Sequence, residues 1–150
     1  MAADGSHRSY WRLTGSHGGT VIGAIGPEPE ENRAFLSFSR AFRGIGLPVP
    51  EIHADDEPAG AWLMEDLGDT TLFHALSAAR TAAGGEFPEP LVETYRRVLE
   101  ALPRFQIDGH AAVDYGVAHP RAAFDRQSIL WDLNYFKYHF LKLARIPFNE

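Results

Sequence analysis

Residues 62–69 read Trp-Leu-Met-Glu-Asp-Leu-Gly-Asp, an apolar run that passes directly into an acidic turn containing a glycine. The apolar half predicts a buried strand. The acidic half predicts a strand-to-helix turn, in which Asp69 or Thr70 caps the helix that follows. This stretch decides the fold, because the patterns before it are those of strands and one helix, whereas the patterns after it are helical.

The sequence before this stretch predicts two hairpins separated by a helix. The first hairpin turns at Gly15-Ser16-His17-Gly18-Gly19, whose residues tolerate positive φ. The helix has a proline and several glutamates in its first turn, where they suit a helix N-terminus, and a glycine at its end. The predicted elements are strands at residues 8–14 and 20–25, a helix from Pro29 to Gly44, and strands at residues 52–54 and 61–64.

Apolar residues recur at helical spacing in the rest of the chain. One helix is predicted after Asp69, a second at Leu91–Ile107 that Pro103 bends or ends early, and a third at Asp125–Arg145. The residues expected to face inward are Val92, Tyr95, Val98, Leu99 and Leu102 on the second helix, and Ile129, Leu133, Phe136, Phe140 and Leu143 on the third.

This order of elements predicts an α+β fold rather than the alternating strands and helices of a doubly wound sheet. An antiparallel-sheet lobe with one helix is expected at residues 1–68. The first helices of a second, incomplete lobe are expected at residues 69–150.

The composition predicts a folded protein and excludes several classes of function. The chain has 150 residues and a formal charge of −6, a balance that argues against nucleic-acid and membrane-surface binding. It has no cysteine, so disulfides and thiolate metal sites are excluded, and its seven histidines lack metal-ligand spacing. No apolar run approaches the ~20 residues of a membrane span, and Met1-Ala2-Ala3-Asp4 does not resemble a signal peptide. We therefore expect a cytoplasmic protein.

Two parts of the predicted sheet lobe contain residues that could bind a charged group. The first suits an anion, and the second supplies a carboxylate. Gly5-Ser6-His7-Arg8 precedes the first strand; small residues there let backbone N–H groups approach a phosphate, and His7 or Arg8 adds charge. An ordinary surface turn explains the same residues. Glu31 lies in the first turn of the helix, where a carboxylate also complements the helix dipole.

Two further segments each have a functional and a structural interpretation. The main chain of Glu65-Asp66-Leu67-Gly68-Asp69, here named the connector, can present a carbonyl and an N–H to the edge of an adenine ring, or it can simply lead from strand to helix. Asp132 lies beside the predicted apolar stripe of the last helix. Its face is either solvated or in contact with a sugar hydroxyl.

Together these segments resemble the aminoglycoside phosphotransferase superfamily, and within it bacterial kinases of cell-wall amino sugars such as N-acetylmuramate/N-acetylglucosamine kinases. The order and separation of the segments carry the resemblance, since each segment is short. They are residues 6–13, Glu31-Asn32 with Phe35, residues 46–52, the connector, and a weaker match at Phe124-Asp125 with Trp131-Asp132-Leu133.

The resemblance implies a protein-kinase-like small lobe that binds ATP with Mg²⁺ for transfer of the γ-phosphoryl group to a sugar hydroxyl. The implied nucleotide-binding residues are Ser6, His7 and Arg8 over the triphosphate, Ala24 where protein kinases have a lysine, Glu31 as the helix carboxylate, and Glu65, Asp66 and Leu67 at the adenine. Asp132 is the implied contact to the acceptor.

The resemblance covers only the N-terminal part of such an enzyme. The family's catalytic loop and second metal-binding Asp have no counterpart in this sequence, so no catalytic residue or metal ligand is assigned, and we expect negligible kinase activity from this chain alone. The aromatic helix at residues 125–145 is expected to expose an apolar patch that favours self-association. The alternative interpretation is a non-catalytic protein-interaction module built on the same small-lobe scaffold.

Overall fold

The computed structural model describes residues 7–82, 84 and 87–148, and it confirms the α+β fold. Four antiparallel strands form one sheet in the order β1-β2-β4-β3. Helices follow the sheet, and this order of elements is consistent with a kinase-like small lobe. The elements are β1 (Ser9–Thr14), β2 (Thr20–Ile25), α1 (Pro29–Gly44), β3 (Ile52–Asp56), β4 (Ala61–Glu65), α2 (Leu72–Ala82), α3 (Val92–Ala112) and α4 (Arg126–Phe136).

The strand register assigns side chains to two faces of the sheet. Tyr10 lies opposite Ala24, and Ala24 lies opposite Trp62, so these three side chains share one face. α1 packs on this face, which we name the inner face, because Leu36 of the helix forms the buried core with Ala24 and Trp62. The position of α1 is therefore determined by the apolar residues of the two central strands.

A buried asparagine joins the ends of the two hairpins. The N–H of Gly26 donates to the carbonyl of Gly60 at 2.9 Å. Nδ2 of Asn32, on the first turn of α1, donates to the carbonyl of Gly26 at 2.8 Å. Gly60 has φ of +63°, and a Cβ atom there would lie 2.5 Å from the oxygen of Gly26. Only glycine fits at this position without separating the hairpins.

α3 packs against α1 only through the C-terminal half of the face that is expected to point inward. The rings of Phe42 and Phe105 meet edge to face at 5.3 Å, and Gly109 lies buried beneath Phe42. Val98, Leu99 and Leu102 are exposed, so the prediction that they face inward is wrong, whereas Val92 and Tyr95 are half-buried. The helix also continues past Pro103 to Ala112. A proline removes one backbone hydrogen bond, and the contacts of the following turns with Phe42 hold the helix together.

The last helix also differs from its prediction. Leu133 and Phe136, expected to face the core, are 57% and 50% exposed, because no covering element packs on them within the described part of the chain. The α-helical hydrogen bonds end at Phe136, and a π-helical turn follows at Lys137–Leu141 in place of an α-helix to Arg145. This wider turn coincides with the dense aromatic run, where large side chains crowd the preceding turn.

Among the described residues, none of the helices combines the length and the apolar character that crossing a membrane requires.

Two glycines with positive φ provide a matched test of the hairpin junction. We expect Gly18→Ala to destabilise the protein by about 1–2 kcal/mol, the cost of a left-handed alanine, because nothing lies within 4 Å of the position that the new Cβ atom would take. Gly60→Ala has the same backbone cost and also collides with the oxygen of Gly26. Its loss of unfolding free energy in urea should be clearly larger. Equal losses for the two variants would contradict the junction.

Candidate functional site

Arg8 connects the start of β1 to α1. Its Nη2 atom donates to the main-chain carbonyl of Glu31 at 3.3 Å and lies 3.0 Å from Oε1 of the same residue. The guanidinium carbon lies 5.0 Å from the ring centroid of Phe35 and 5.4 Å from that of Trp62. The side chain of Arg8 is largely buried, so salt screens this ion pair less than it screens a surface pair. Two of the predicted residues, Arg8 and Glu31, are thus in direct contact.

Ala24 supplies no charge to this region. It is 2% exposed and packs in the core with Leu36 and Trp62. A longer side chain at this position would displace a close-packed core. The cation that faces α1 therefore comes from Arg8, while His7 beside it is exposed and Ser6 lies outside the described residues.

Arg12 binds two carboxylates of the connector at once. Its Nε and Nη2 atoms donate to Oδ2 and Oδ1 of Asp66 at 2.6 and 2.9 Å. Its Nη1 and Nη2 atoms donate to Oδ2 and Oδ1 of Asp69 at 2.7 and 2.9 Å. We name these three residues the Arg12 clamp. It joins the edge strand β1 to the segment that leaves β4.

The clamp explains why the predicted helix cap is wrong. The carboxylate of Asp69 is bound to Arg12, so it does not accept from the helix. The residue that caps α2 is Thr71, whose Oγ1 atom accepts a hydrogen bond from the N–H of His74 at 3.2 Å.

The clamp shifts the pKa values of all three of its members. Hydrogen bonds from Arg12, from the N–H of Gly68 and from the hydroxyl of Thr20 hold the pKa of Asp66 well below its usual range. The hydrogen bond from Arg12 also lowers the pKa of Asp69. The two carboxylates in turn raise the pKa of Arg12. All three groups are therefore charged at neutral pH, and the clamp has one net negative charge.

The connector main chain turns sharply between the two clamp carboxylates. The N–H of Glu65 donates to the carbonyl of Glu51 at 2.9 Å, which continues the strand pairing. Gly68 has φ of +82°, and its N–H donates to Oδ1 of Asp66 at 2.9 Å. Leu67 lies at the apex and is 67% exposed, and none of the residues from 7 to 148 that the structure describes accepts from its N–H. The apex of the connector is therefore exposed to solvent.

Asp132 lies apart from these residues, on α4. It lines a groove of about 300 Å³ together with Tyr135, Phe136, His139 and Phe140. The ring of Tyr135 stacks on that of His139 at 4.3 Å, and the ring of Phe136 stacks on that of Phe140 at 5.1 Å. Within the described ranges, no hydrogen bond or ion pair links Asp132 with Arg8 or with the connector.

Sequence reasoning missed Arg12 and the part that Asp69 plays with it. Arg12 is 54 residues from Asp66 and 57 from Asp69, so no local pattern relates them. A signal was present in the strand itself. Arg8, Tyr10 and Arg12 alternate on β1 and its preceding residue, so a strand prediction assigns both arginines to the same face as the core, where a charge requires a partner.

In the part of the chain that the structure describes, no three side chains of His, Asp or Glu come together as metal ligands. Asp66 and Asp69 are close to one another but both are bound to Arg12. No step through a metal ion is therefore assigned to this chain.

Two curated proteins match the sequence, and each is named N-acetylmuramate/N-acetylglucosamine kinase. The protein from Pseudomonas aeruginosa is 30% identical over 105 residues, and the protein from Pseudomonas putida is 32% identical over 107 residues. Each match covers 70% of this chain but only 28% of the relative. No protein-family model and no solved structure matches the chain. The chain is thus similar to part of two sugar kinases.

The lowered pKa of Asp66 predicts how the clamp depends on pH. A carboxyl group whose pKa is lower in the folded state contributes stability above its unfolded pKa, near 3.8, and loses it as the pH falls. We expect Asp66→Asn to unfold at lower urea concentration than the wild type at pH 7. The difference between the two midpoints should shrink as the pH falls below about 3.8. A difference that stays constant down to pH 2.5 would contradict this account.

Proposed function

We propose that this chain is the nucleotide-binding part of an ATP-dependent phosphotransferase that acts on a hydroxyl group of a sugar or amino sugar. The observation that carries the proposal is the similarity to two N-acetylmuramate/N-acetylglucosamine kinases over 70% of the chain. The chain spans 28% of the length of these relatives. The activity is therefore proposed for a protein that contains this part.

Three side chains that follow one another on the inner face of the sheet support this proposal. Arg8, Tyr10 and Arg12 point to the same face at successive alternate positions. The two arginines are four positions apart in sequence, a distance of about 13 Å along an extended chain. A nucleotide that lies along β1 would have its phosphates near Arg8 and its base near the connector. Arg8 can form charge-assisted hydrogen bonds with phosphate oxygens, while Glu31 orients its guanidinium.

The chain's contribution to the reaction is positioning and charge. Phosphoryl transfer depends on alignment of the nucleotide and on neutralisation of phosphate charge, and Mg²⁺ and ATP supply the metal charge and the transferred group when bound. Arg8 contributes a cation, and the connector contributes main-chain groups for the base. Asp132 would accept a hydrogen bond from an acceptor hydroxyl, with the neighbouring ring of Tyr135 as an apolar surface for the sugar.

ATP binding by the purified chain tests the proposal. We expect ATP to bind by isothermal titration calorimetry, and Arg8→Gln to weaken this affinity about tenfold or more, since a hydrogen bond to a charged group contributes about 1.5–3 kcal/mol. Arg33→Gln is the matched control, because it removes another ion pair of α1, that of Arg33 with Glu57 in the turn between β3 and β4, at 2.7 Å. Its affinity should equal that of the wild type.

Two results would overturn the proposal: no ATP binding by the wild type, or equal affinities for the wild type and Arg8→Gln. The same samples should transfer no phosphate from ATP to N-acetylglucosamine above the enzyme-free rate, because the catalytic loop and second metal-binding Asp of the kinases that the chain resembles have no counterpart in this sequence. Transfer that a chelator abolishes would show that the chain alone is a complete catalyst.

The exposed aromatic groove favours the second candidate, a non-catalytic interaction module. Tyr135, Phe136, Tyr138 and Phe140 are each exposed by about half or more. Aromatic side chains at this density are typical of surfaces that bind another protein. For this candidate the partner is a second copy of the chain, associated through residues 125–145.

Sedimentation velocity at several concentrations tests this candidate. We expect the wild type to show a concentration-dependent dimer and the double variant Phe136→Ser/Phe140→Ser to sediment as a monomer, since the variant removes one of the two ring stacks. Phe73→Ser is the control, because Phe73 is also exposed but lies on α2. A wild type that remains monomeric at all concentrations excludes this form of association. Association without ATP binding favours the module over the kinase.

A further inference from the structure

We infer that Arg12 is a positioning residue for base recognition. By bridging Asp66 and Asp69, it holds the connector in the conformation in which the main chain of Leu67 faces a purine ring. This inference rests on the proposed nucleotide-binding function. It assigns a role to a residue that touches neither the base nor the phosphates.

The hydrogen-bond geometry shows how one side chain fixes the whole turn. Arg12 uses four N–H groups, two toward each carboxylate, and both oxygens of each carboxylate accept. Asp66 and Asp69 flank Leu67 and Gly68, so the guanidinium restrains both ends of this two-residue apex. The carboxylate of Asp66 also accepts from Gly68, which restrains the apex from within.

The clamp is partly shielded from solvent on the side of Asp66. The side chain of Asp66 is only 7% exposed, and the hydroxyl of Thr20 on β2 also donates to it. Arg12 lies on β1 opposite Ile22 of β2, so the strand pairing fixes the position of its backbone. A segment that is ordered before it binds loses less conformational entropy when the ligand arrives. Lysine has no planar fork and cannot form the same four hydrogen bonds.

The charges separate the role of Arg12 from that of Arg8. The clamp has one net negative charge, and its guanidinium is already occupied by two carboxylates, so it is not a phosphate site. Arg8 lies at the other end of the inner-face row, beside α1. A substitution of Arg12 should therefore weaken recognition of the base, whereas a substitution of Arg8 should weaken binding of the phosphates of any nucleotide.

The ratio of ATP to CTP affinity tests this separation. Both ligands have the same triphosphate, so general charge effects cancel in the ratio. We expect the wild type to prefer ATP, and Arg12→Gln to lower ATP affinity about tenfold with little change for CTP, the loss expected for one misaligned neutral hydrogen bond. Arg12→Lys should restore only part of the ratio. Arg8→Gln should weaken ATP and CTP equally, and Arg33→Gln should change neither.

A second variant tests the inference even if Arg12→Gln does not fold. Asp69→Asn leaves the buried pair of Arg12 with Asp66 in place and changes a group that is largely exposed. We expect a smaller fall in the ATP/CTP ratio, together with a shift of the Leu67 and Gly68 amide signals in ¹H–¹⁵N spectra. An ATP/CTP ratio unchanged in both variants, or a wild type without base preference, overturns the inference and leaves ATP binding intact. A wild type that binds neither nucleotide overturns the proposed function, and the inference with it.

Discussion

The packing of Trp62 against α1 is the contact on which the rest of the structure depends. The indole is almost fully buried and lies 5.4 Å from the ring of Phe35. It occupies the centre of the sheet, so the neighbouring position on β2 must be small, and Ala24 fits there. The guanidinium of Arg8 then lies over both rings and reaches Glu31. One large side chain thus determines both the small residue at position 24 and the place of the Arg8 cation.

Local sequence signals predicted the sheet lobe well because its elements have strong boundaries. The glycine-rich turn at residues 15–19, the proline and glutamates at the start of α1, and the apolar run at residues 62–64 each correspond to an observed element. These local signals could not predict the strand order β1-β2-β4-β3, because strand order depends on contacts between distant segments. The division of the chain at residue 68 stays a prediction.

The helices after the sheet show why periodicity alone does not identify a buried face. Val98 and Leu102 lie on the same face of α3 as Phe105 and Gly109, which follow seven residues later, yet only the later pair meets α1. A glycine has no hydrophobic signal, although its lack of a side chain is what allows Phe42 to approach. On α4 the repeat of Leu133 and Phe136 is real, but burial requires a partner that the described residues do not supply. The helix was predictable from its own sequence, and its surroundings were not.

The charge distribution on the inner face gives a direction to the proposed nucleotide. At one end, Arg8 and Glu31 are balanced, and the pair lies at the first turn of α1, where the helix dipole is positive. At the other end, the Arg12 clamp has an excess of one negative charge. The negative charge of the clamp disfavours a triphosphate beside the connector, whereas the α1 end has the cation Arg8 next to Glu30 and Glu31. The uncharged base is the part of the ligand that can approach Leu67 without an electrostatic cost. The proposed orientation thus rests on Arg8 beside α1 and on the negative charge of the Arg12 clamp.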